Sequence, residues 1–267
     1  MEPQLKKTIS TSSTRRILPW RTRLSVMIVS CIFNATCRSN GTINRRIFNF
    51  FELKSSPSPS TPIDGVTSTD ISVDPLHNLW FRLYIPTSTT TVPVIIFFSW
   101  RFCRGNLSHH VALRACQYEF RKLKVIGVVA IQPFFGGEEI TEAEERLRKI
   151  DPLINLELTE WMWKAFMPPD EGDRDHEVIN VSGPKAVDIS KLNFPPVLVV
   201  IGGFDSLQDW QTRYYEWLNK SGKEAYLVEY PTMVHAFYIF SELPESALLI
   251  SEIKDFMSKQ LSKRGKL

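Results

Sequence analysis

Four short, nearly uninterrupted apolar runs punctuate the chain, at residues 93–98 (P-V-I-I-F-F), 125–131, 197–201 and 225–228. Strands covered on both faces in a mostly parallel sheet read this way, whereas a sheet with one wet face alternates apolar and polar residues. Between and after these runs, apolar residues recur at helical spacing over 106–123, 159–166, 210–221 and 246–261. Strands alternating with helices predict an α/β fold, a mostly parallel central sheet flanked by helices. Upstream, 66–73 and 79–85 alternate or run apolar around the turn signal Asp74-Pro75 and predict an antiparallel pair.

The amino-terminal part reads differently. Residues 1–19 are polar and rich in Ser, Thr and Lys, the composition of a mobile tail. A helix is predicted from about 20 to 35, with Leu24, Met27, Ile28, Cys31, Ile32 and Ala35 at i, i+3, i+4 spacing, the stripe expected to lie against a globular body. Its apolar stretch, 24–33, is preceded by arginines as in a targeting segment, but it is shorter than the ~20 residues a membrane span needs. N-x-S/T sequons beginning at Asn34 and Asn40 carry no weight without secretion. Residues 55–62, S-S-P-S-P-S-T-P, form a linker, since prolines lack amide donors and serines bury little. The expected organisation is a tail, lid helix and linker over 1–62, followed by one α/β domain over 63–267.

Composition narrows the function classes. The chain has 267 residues, 43% hydrophobic and 23% charged, ample for a substantial core. Lys plus Arg number 32 against 29 for Asp plus Glu, and a net charge of +3 is too small to indicate a nucleic-acid partner. The four cysteines, Cys31, Cys37, Cys103 and Cys116, form no C-x-x-C pair and no zinc spacing, so free thiols in a reducing, cytoplasmic setting are expected. His109 and His110 are adjacent and face different sides of their helix, which does not build a metal site. No metal or cofactor is expected.

The candidate chemistry lies in the last third. Asp205 directly follows the apolar run 197–201, and catalytic groups in open α/β sheets gather at the carboxyl ends of strands. The plainer reading makes it an Asx-turn residue, with Asp209 capping the helix at Trp210. His235 follows the next strand and precedes the final helix. An acid after one strand and a histidine after the next is the chain order of an α/β-hydrolase relay. Upstream, however, there is no G-x-S-x-G elbow to supply a nucleophile. Trp161, Met162, Trp163 and Phe166, downstream of Phe134-Phe135-Gly136-Gly137, suit either a core or the wall of a ligand pocket.

Eight motifs carry a family resemblance: L-P-W-R-T-R-L, N-G-T-I-N-R-R, N-L-W-F-R-L-Y-I-P, G-N-L-S-H-H-V-A, I-Q-P-F-F-G-G-E-E, T-E-W-M-W-K-A-F, V-I-G-G-F-D-S-L-Q-D-W and V-E-Y-P-T-M-V-H-A-F-Y. In this order they resemble the plant carboxylesterases of the hormone-sensitive lipase group, which also contains the gibberellin receptors. The resemblance implies an α/β-hydrolase with an N-terminal helical lid, cleaving carboxylic esters through Ser, Asp and His, with Asp205 as acid and His235 as base. Retention of the histidine favours the esterase branch.

The chain departs from that pattern at one place. Where the family's strand runs into H-G-G-G and later into a G-D-S-A-G-G-N-L elbow, Phe98 is followed here by Ser99-Trp100-Arg101-Phe102-Cys103-Arg104 and then Gly105-Asn106-Leu107. The oxyanion glycines, two strand-helix units and the serine are lacking together, on the order of 60 residues at ~30 per unit. A reduced sheet without its central strands is expected, with serine esterase activity impaired. Cys103 and Ser99 are weak substitutes, because the bulky Arg101 and Arg104 do not suit a strained elbow. The expected partner is a small ester or carboxylate, bound by a monomer with no membrane span. The alternatives are a non-catalytic binder of such a ligand or a misspliced product.

Overall fold

The computed structural model describes residues 6–9, 18–38, 40–44, 46–47, 56–74, 76, 79–87, 104–117, 124–151, 153–167 and 173–264. Two compact units are present, Met1–Asn44 with Phe98–Leu267, and Arg45–Phe97. In chain order the elements are β1 (Lys6–Thr8), α1 (Trp20–Thr36), β2 (Val66–Asp74), β3 (Leu79–Pro86), α2 (Arg104–Cys116), β4 (Val128–Ile131), α3 (Glu142–Leu147), α4 (Leu156–Phe166), β5 (Val197–Phe204), α5 (Gln208–Lys220), β6 (Ala225–Val234), a 3-10 turn (Phe237–Ile239) and α6 (Pro244–Arg264).

The larger unit is built on a parallel sheet which, among the described residues, has four strands in the order β1-β6-β5-β4. Val197 pairs with Val128 on one side and with Ala225 on the other. The run Val197 to Ile201 is buried on both faces, which is why it carries no polar residue. Trp210, Tyr214 and Leu218 at i, i+4, i+8 lay α5 over the sheet, and Leu249 and Phe256 do the same for α6. The ring of Phe256 lies 2.9 Å from where a Cβ of Gly127 would stand, so a larger residue before β4 would have to push that ring aside.

Several local expectations change. Lys6–Thr8, within the presumed tail, is an edge strand, with Lys6 opposite Leu227. Lys6 Nζ lies 3.3 Å from Glu229, Thr8 Oγ1 donates to Glu229 at 2.9 Å, and Lys7 pairs with Glu252. An edge strand tolerates lysines facing water, so its polarity concealed it. The helix α3 was hidden by its brevity, yet Thr141 and Glu144 form a reciprocal capping box at its start. The helix expected over 106–123 ends at Cys116 within the described residues, and the expected strand 93–98 lies outside them.

The helix α1 forms where the periodicity places it, but it buries the other face. Thr22, Val26 and Thr36 are buried and Val29 is partly buried, whereas Leu24, Met27, Ile28, Cys31 and Ala35 face water. Thr22 Oγ1 donates to Glu242 at 2.9 Å, Val26 joins the main core, and Trp161 Nε1 donates to the carbonyl of Arg38 just beyond the helix at 2.5 Å. Both faces of this helix are apolar, so periodicity alone did not choose between them.

In the smaller unit, β2 and β3 form the expected antiparallel pair, with Thr67 opposite Ile85 and Asp70 opposite Arg82. The Arg82 guanidinium holds Asp70 through two bonds of 2.5 and 2.9 Å, keeping its carboxyl below the ordinary range.

Candidate functional site

The glycines before Asp205 explain how the site is built. A Cβ on Gly203 would stand 2.2 Å from the carbonyl oxygen of Pro231, and one on Gly202 would meet the Met233 carbonyl at 2.7 Å and the Gln132 amide at 2.5 Å. Only glycine lets β5 and β6 approach this closely. The pairing slips between Gly202 and Phe204, where Phe204 comes opposite Val234. This irregularity turns the end of β5 so that Asp205 lies beside the residue that follows β6.

That residue is His235. Its Nδ1 lies 2.8 Å from Asp205 Oδ2. Asp205 is fully buried, while the imidazole side chain retains 15% exposure. Oδ2 also accepts from Gln211 Nε2 at 2.8 Å and from Gln132 Nε2 at 3.1 Å, and Oδ1 accepts the Leu207 amide at 2.9 Å. Three N–H donors, from Gln211, Gln132 and the Leu207 amide, already converge on this carboxyl group, as suits a carboxylate that only accepts. Nδ1 of His235 therefore carries the proton, and in the neutral ring Nε2 is the basic atom. Chemically, the pair can orient an imidazole, stabilise its charged form, and draw a proton through Nε2.

Asp205 makes the turn through Oδ1 and faces the histidine through Oδ2. Asp209 does not cap α5. Its carboxylate accepts the Ala143 amide at 2.8 Å, at the first turn of α3, while Leu207 occupies the cap position without a side-chain bond.

Gln132 is the residue that sequence reasoning missed. It follows β4 in the left-handed region, at φ 43°, a strained setting for a non-glycine residue. From there Nε2 also donates to the Val234 carbonyl at 3.0 Å, and Oε1 accepts the Ala236 amide at 2.7 Å. Ala236 is itself left-handed, at φ 57°. One buried amide thus fastens the ends of β4, β5 and β6 and brackets His235 on both sides. Its position, directly after an apolar run, was the available signal.

Behind the pair lies a second carboxylate. Asp151 Oδ2 accepts the amide and hydroxyl of Ser206 at 3.2 and 3.3 Å, and Oδ1 accepts the amides of Leu153 and Ile154. Burial pushes its carboxyl up to about 6, and the nearby Asp205 charge adds to the rise. Sequence analysis did not single out Asp151, which stands in a loop among apolar neighbours with no motif around it.

The remaining candidates disperse. His109 is buried against Phe135, Phe194 and Trp217, with Nδ1 3.0 Å from the Tyr214 hydroxyl, and burial depresses its pKa to about 3. His110 turns instead to the Val178 carbonyl. Met162 and Trp163 are core residues and Trp161 is partly buried under the chain at Arg38; the side chain of Phe166 is outside the described set. Cys103 and Ser99 lie outside the described residues, while Cys31, Cys37 and Cys116 are free thiols. A cavity of about 190 Å³ bounded by Glu139, Asp175, Asn180, Ser182, Trp210 and Arg213 includes neither Asp205 nor His235. Arg213 is committed there to Glu139, at 2.8 and 3.0 Å, and lies over the Trp210 ring.

A parallel sheet with an acid after β5 and a histidine after β6 defines an α/β-hydrolase. A family model described as the alpha/beta hydrolase fold matches residues 103–239, just over half of the chain, and the chain belongs to that family. It is carboxylesterase-like within it. Gibberellin receptor GID1C of Arabidopsis thaliana is 25% identical, over 92% of this chain and 96% of its own. Probable carboxylesterase 16 of the same plant is 30% identical, over 61% of this chain and 37% of its own. Among solved structures, vibralactone cyclase superposes with a TM-score of 0.53 at 22% identity, over 61% of this chain and 48% of that one. The shared part spans about half of that solved chain, and the likeness is one of fold.

Proposed function

We propose that this protein is a hydrolase of the carboxylesterase lineage in which Asp205 and His235 persist as acid and base while serine-dependent ester hydrolysis is impaired. The observation that carries the reading is the 2.8 Å bond between His235 Nδ1 and a carboxylate held by three further donors. The assembly ties strand ends together and also orients an imidazole, yet the sequence offers that imidazole neither a G-x-S-x-G serine nor an H-G-G-G run. A further observation agrees: the alignment with the Arabidopsis receptor extends over 337 positions, 70 more than the 267 residues of this chain, so at least that many positions of the relative have no counterpart here. Loss of a triad nucleophile costs on the order of 10^6 in turnover.

The test is hydrolysis of p-nitrophenyl acetate by the purified full chain beside its His235→Ala variant, with a fluorophosphonate probe in parallel. The expected result is equal, background turnover and no covalent labelling. Turnover that depends on His235, or a labelled serine, overturns the impairment.

A second reading, a non-catalytic receptor for a small carboxylate or ester, is supported by the relative named as a gibberellin receptor, which matches nearly end to end. A ligand at 100 times its Kd stabilises a fold by about 2.7 kcal/mol. A saturable rise in Tm with a gibberellin or a short-chain ester supports this reading, and an unchanged Tm across that panel removes it. A misspliced product is the remaining alternative, against which a cooperative thermal melt of the 267-residue chain would count.

A further inference from the structure

The outward face of α1 carries a run of large apolar side chains in water. Trp20 is 70% exposed, Leu24 48%, Met27 58% and Ile28 51%, with Cys31 and Ala35 exposed beside them. At 100° per residue these six side chains fall within one sector of the helix, opposite the buried Thr22, Val26 and Thr36. Scattered apolar residues on a surface need no explanation, but a continuous stripe along one helix marks an interaction site.

The rim of the stripe indicates what it meets. Arg23 borders it on one side and Arg21 on the other, both exposed, and the Arg21 guanidinium lies over the Trp20 ring at 5.5 Å. The helix contains no aspartate or glutamate, and the sequence just before it adds Arg15 and Arg16. Opposite the stripe, on the docked side, the carboxylate of Glu242 accepts the Thr22 hydroxyl, and among the described residues Arg21 and Arg23 form no ion pair. Tryptophan at one end, an aliphatic ridge and an arginine border suit a bilayer surface, where apolar side chains can enter the acyl boundary and cations meet anionic headgroups, while the opposite face of the helix is held by the protein body. No described helix is long and apolar enough to cross a membrane, so the contact is with the surface.

We propose that the exposed face of α1 docks this protein on an anionic lipid bilayer. The stripe supplies the apolar insertion and Arg21 and Arg23 supply the preference for negative headgroups. Docking through this face leaves Thr22 and Val26 in place, so the hydrolase body need not unfold.

Co-sedimentation of the full chain with unilamellar vesicles tests this. Binding is expected to vesicles of phosphatidylcholine with 30% phosphatidylserine, to be much weaker on pure phosphatidylcholine, and to fall with added salt. Arg21→Gln with Arg23→Gln is expected to weaken binding on the order of 25-fold, about fivefold for each charge. Met27→Ser with Ile28→Ser is expected to weaken it at least tenfold, with an unchanged thermal melt. Absence of vesicle binding, binding indifferent to both double variants, or equal binding to neutral vesicles overturns the proposal. Light scattering that shows a dimer dissociated by Met27→Ser with Ile28→Ser would also overturn it and assign the stripe to a second copy.

Discussion

At the carboxyl ends of β4, β5 and β6 the protein buries two carboxylates, Asp205 and Asp151, and surrounds them with donors; on α1 it leaves Trp20, Leu24 and Met27 in water. The first region places charge where the dielectric is low, which is costly unless every lone pair is met. The second leaves unburied an apolar area that could have added to the core. Side chains set against their solvation preference in this way mark where selection has acted on something other than stability. The difference lies in how strongly each region is determined. The buried pair is fixed by partners from three strand ends, so substitutions there should be severe and coupled. The exposed stripe is fixed by nothing it touches, so substitutions there should leave the fold alone.

The largest effect is expected from Asp205→Ala. The change removes the acceptor of His235, Gln132, Gln211 and the Leu207 amide together. Breaking a buried pair by deleting one partner costs about 3–5 kcal/mol, to be read from urea denaturation at constant m-value. A loss under about 1 kcal/mol would mean that water already reaches the donors and that the region is not a closed clamp.

Asp151 gives the next effect, and it appears as pH dependence. Its carboxyl titrates near 6 in the folded protein against 3.8 for an unperturbed group. The folded state therefore holds this proton more tightly than the unfolded state does. The associated stability is fully present below about pH 4 and is lost as pH rises through 6, on the order of 2–3 kcal/mol in all. In Asp151→Asn that component is absent, so the difference between the two proteins, measured as unfolding free energy from pH 4 to 7.5, should shrink with this sign. Parallel curves would place Asp151 in contact with water. Smaller still, Gly203→Ala should cost about 1–3 kcal/mol, since its methyl must displace the Pro231 backbone 2.2 Å away.

What was legible in the sequence follows from the same contrast. The strands at 197 and 225 and the helix α5 were readable because burial on a regular element leaves a period, and Asp205 and His235 because both follow such strands. Gln132 and Asp151 were not readable. Each acts through a side chain that reaches another part of the chain, from a left-handed residue in one case and an irregular loop in the other, and no local pattern records that reach. Gly202 and Gly203 were visible as letters, but their cause, the approach of Pro231 and Met233, lies about 30 residues away in sequence. The face of α1 was misassigned for a different reason. Its buried side uses Thr36 and Thr22, whose hydroxyl bonds to Glu242, while its outer side carries the stronger hydrophobes, so the more apolar stripe pointed the wrong way.

The smallest expected effect is the most discriminating for α1. Met27 and Val26 are neighbours in sequence on opposite sides of the helix, one 58% exposed and the other buried in the core. Val26→Ala removes about two buried methylenes' worth of apolar surface, or roughly 1.5–2 kcal/mol. Met27→Ser removes more carbon, yet from a side chain that water already surrounds, and should change stability by no more than about 0.5 kcal/mol. Equal losses from the two variants would show that the outer face is covered in solution by another part of the protein or by a second copy. A neutral Met27→Ser beside a costly Val26→Ala would leave the stripe with no part in the fold, and its hydrophobicity would then have to be explained by what it binds.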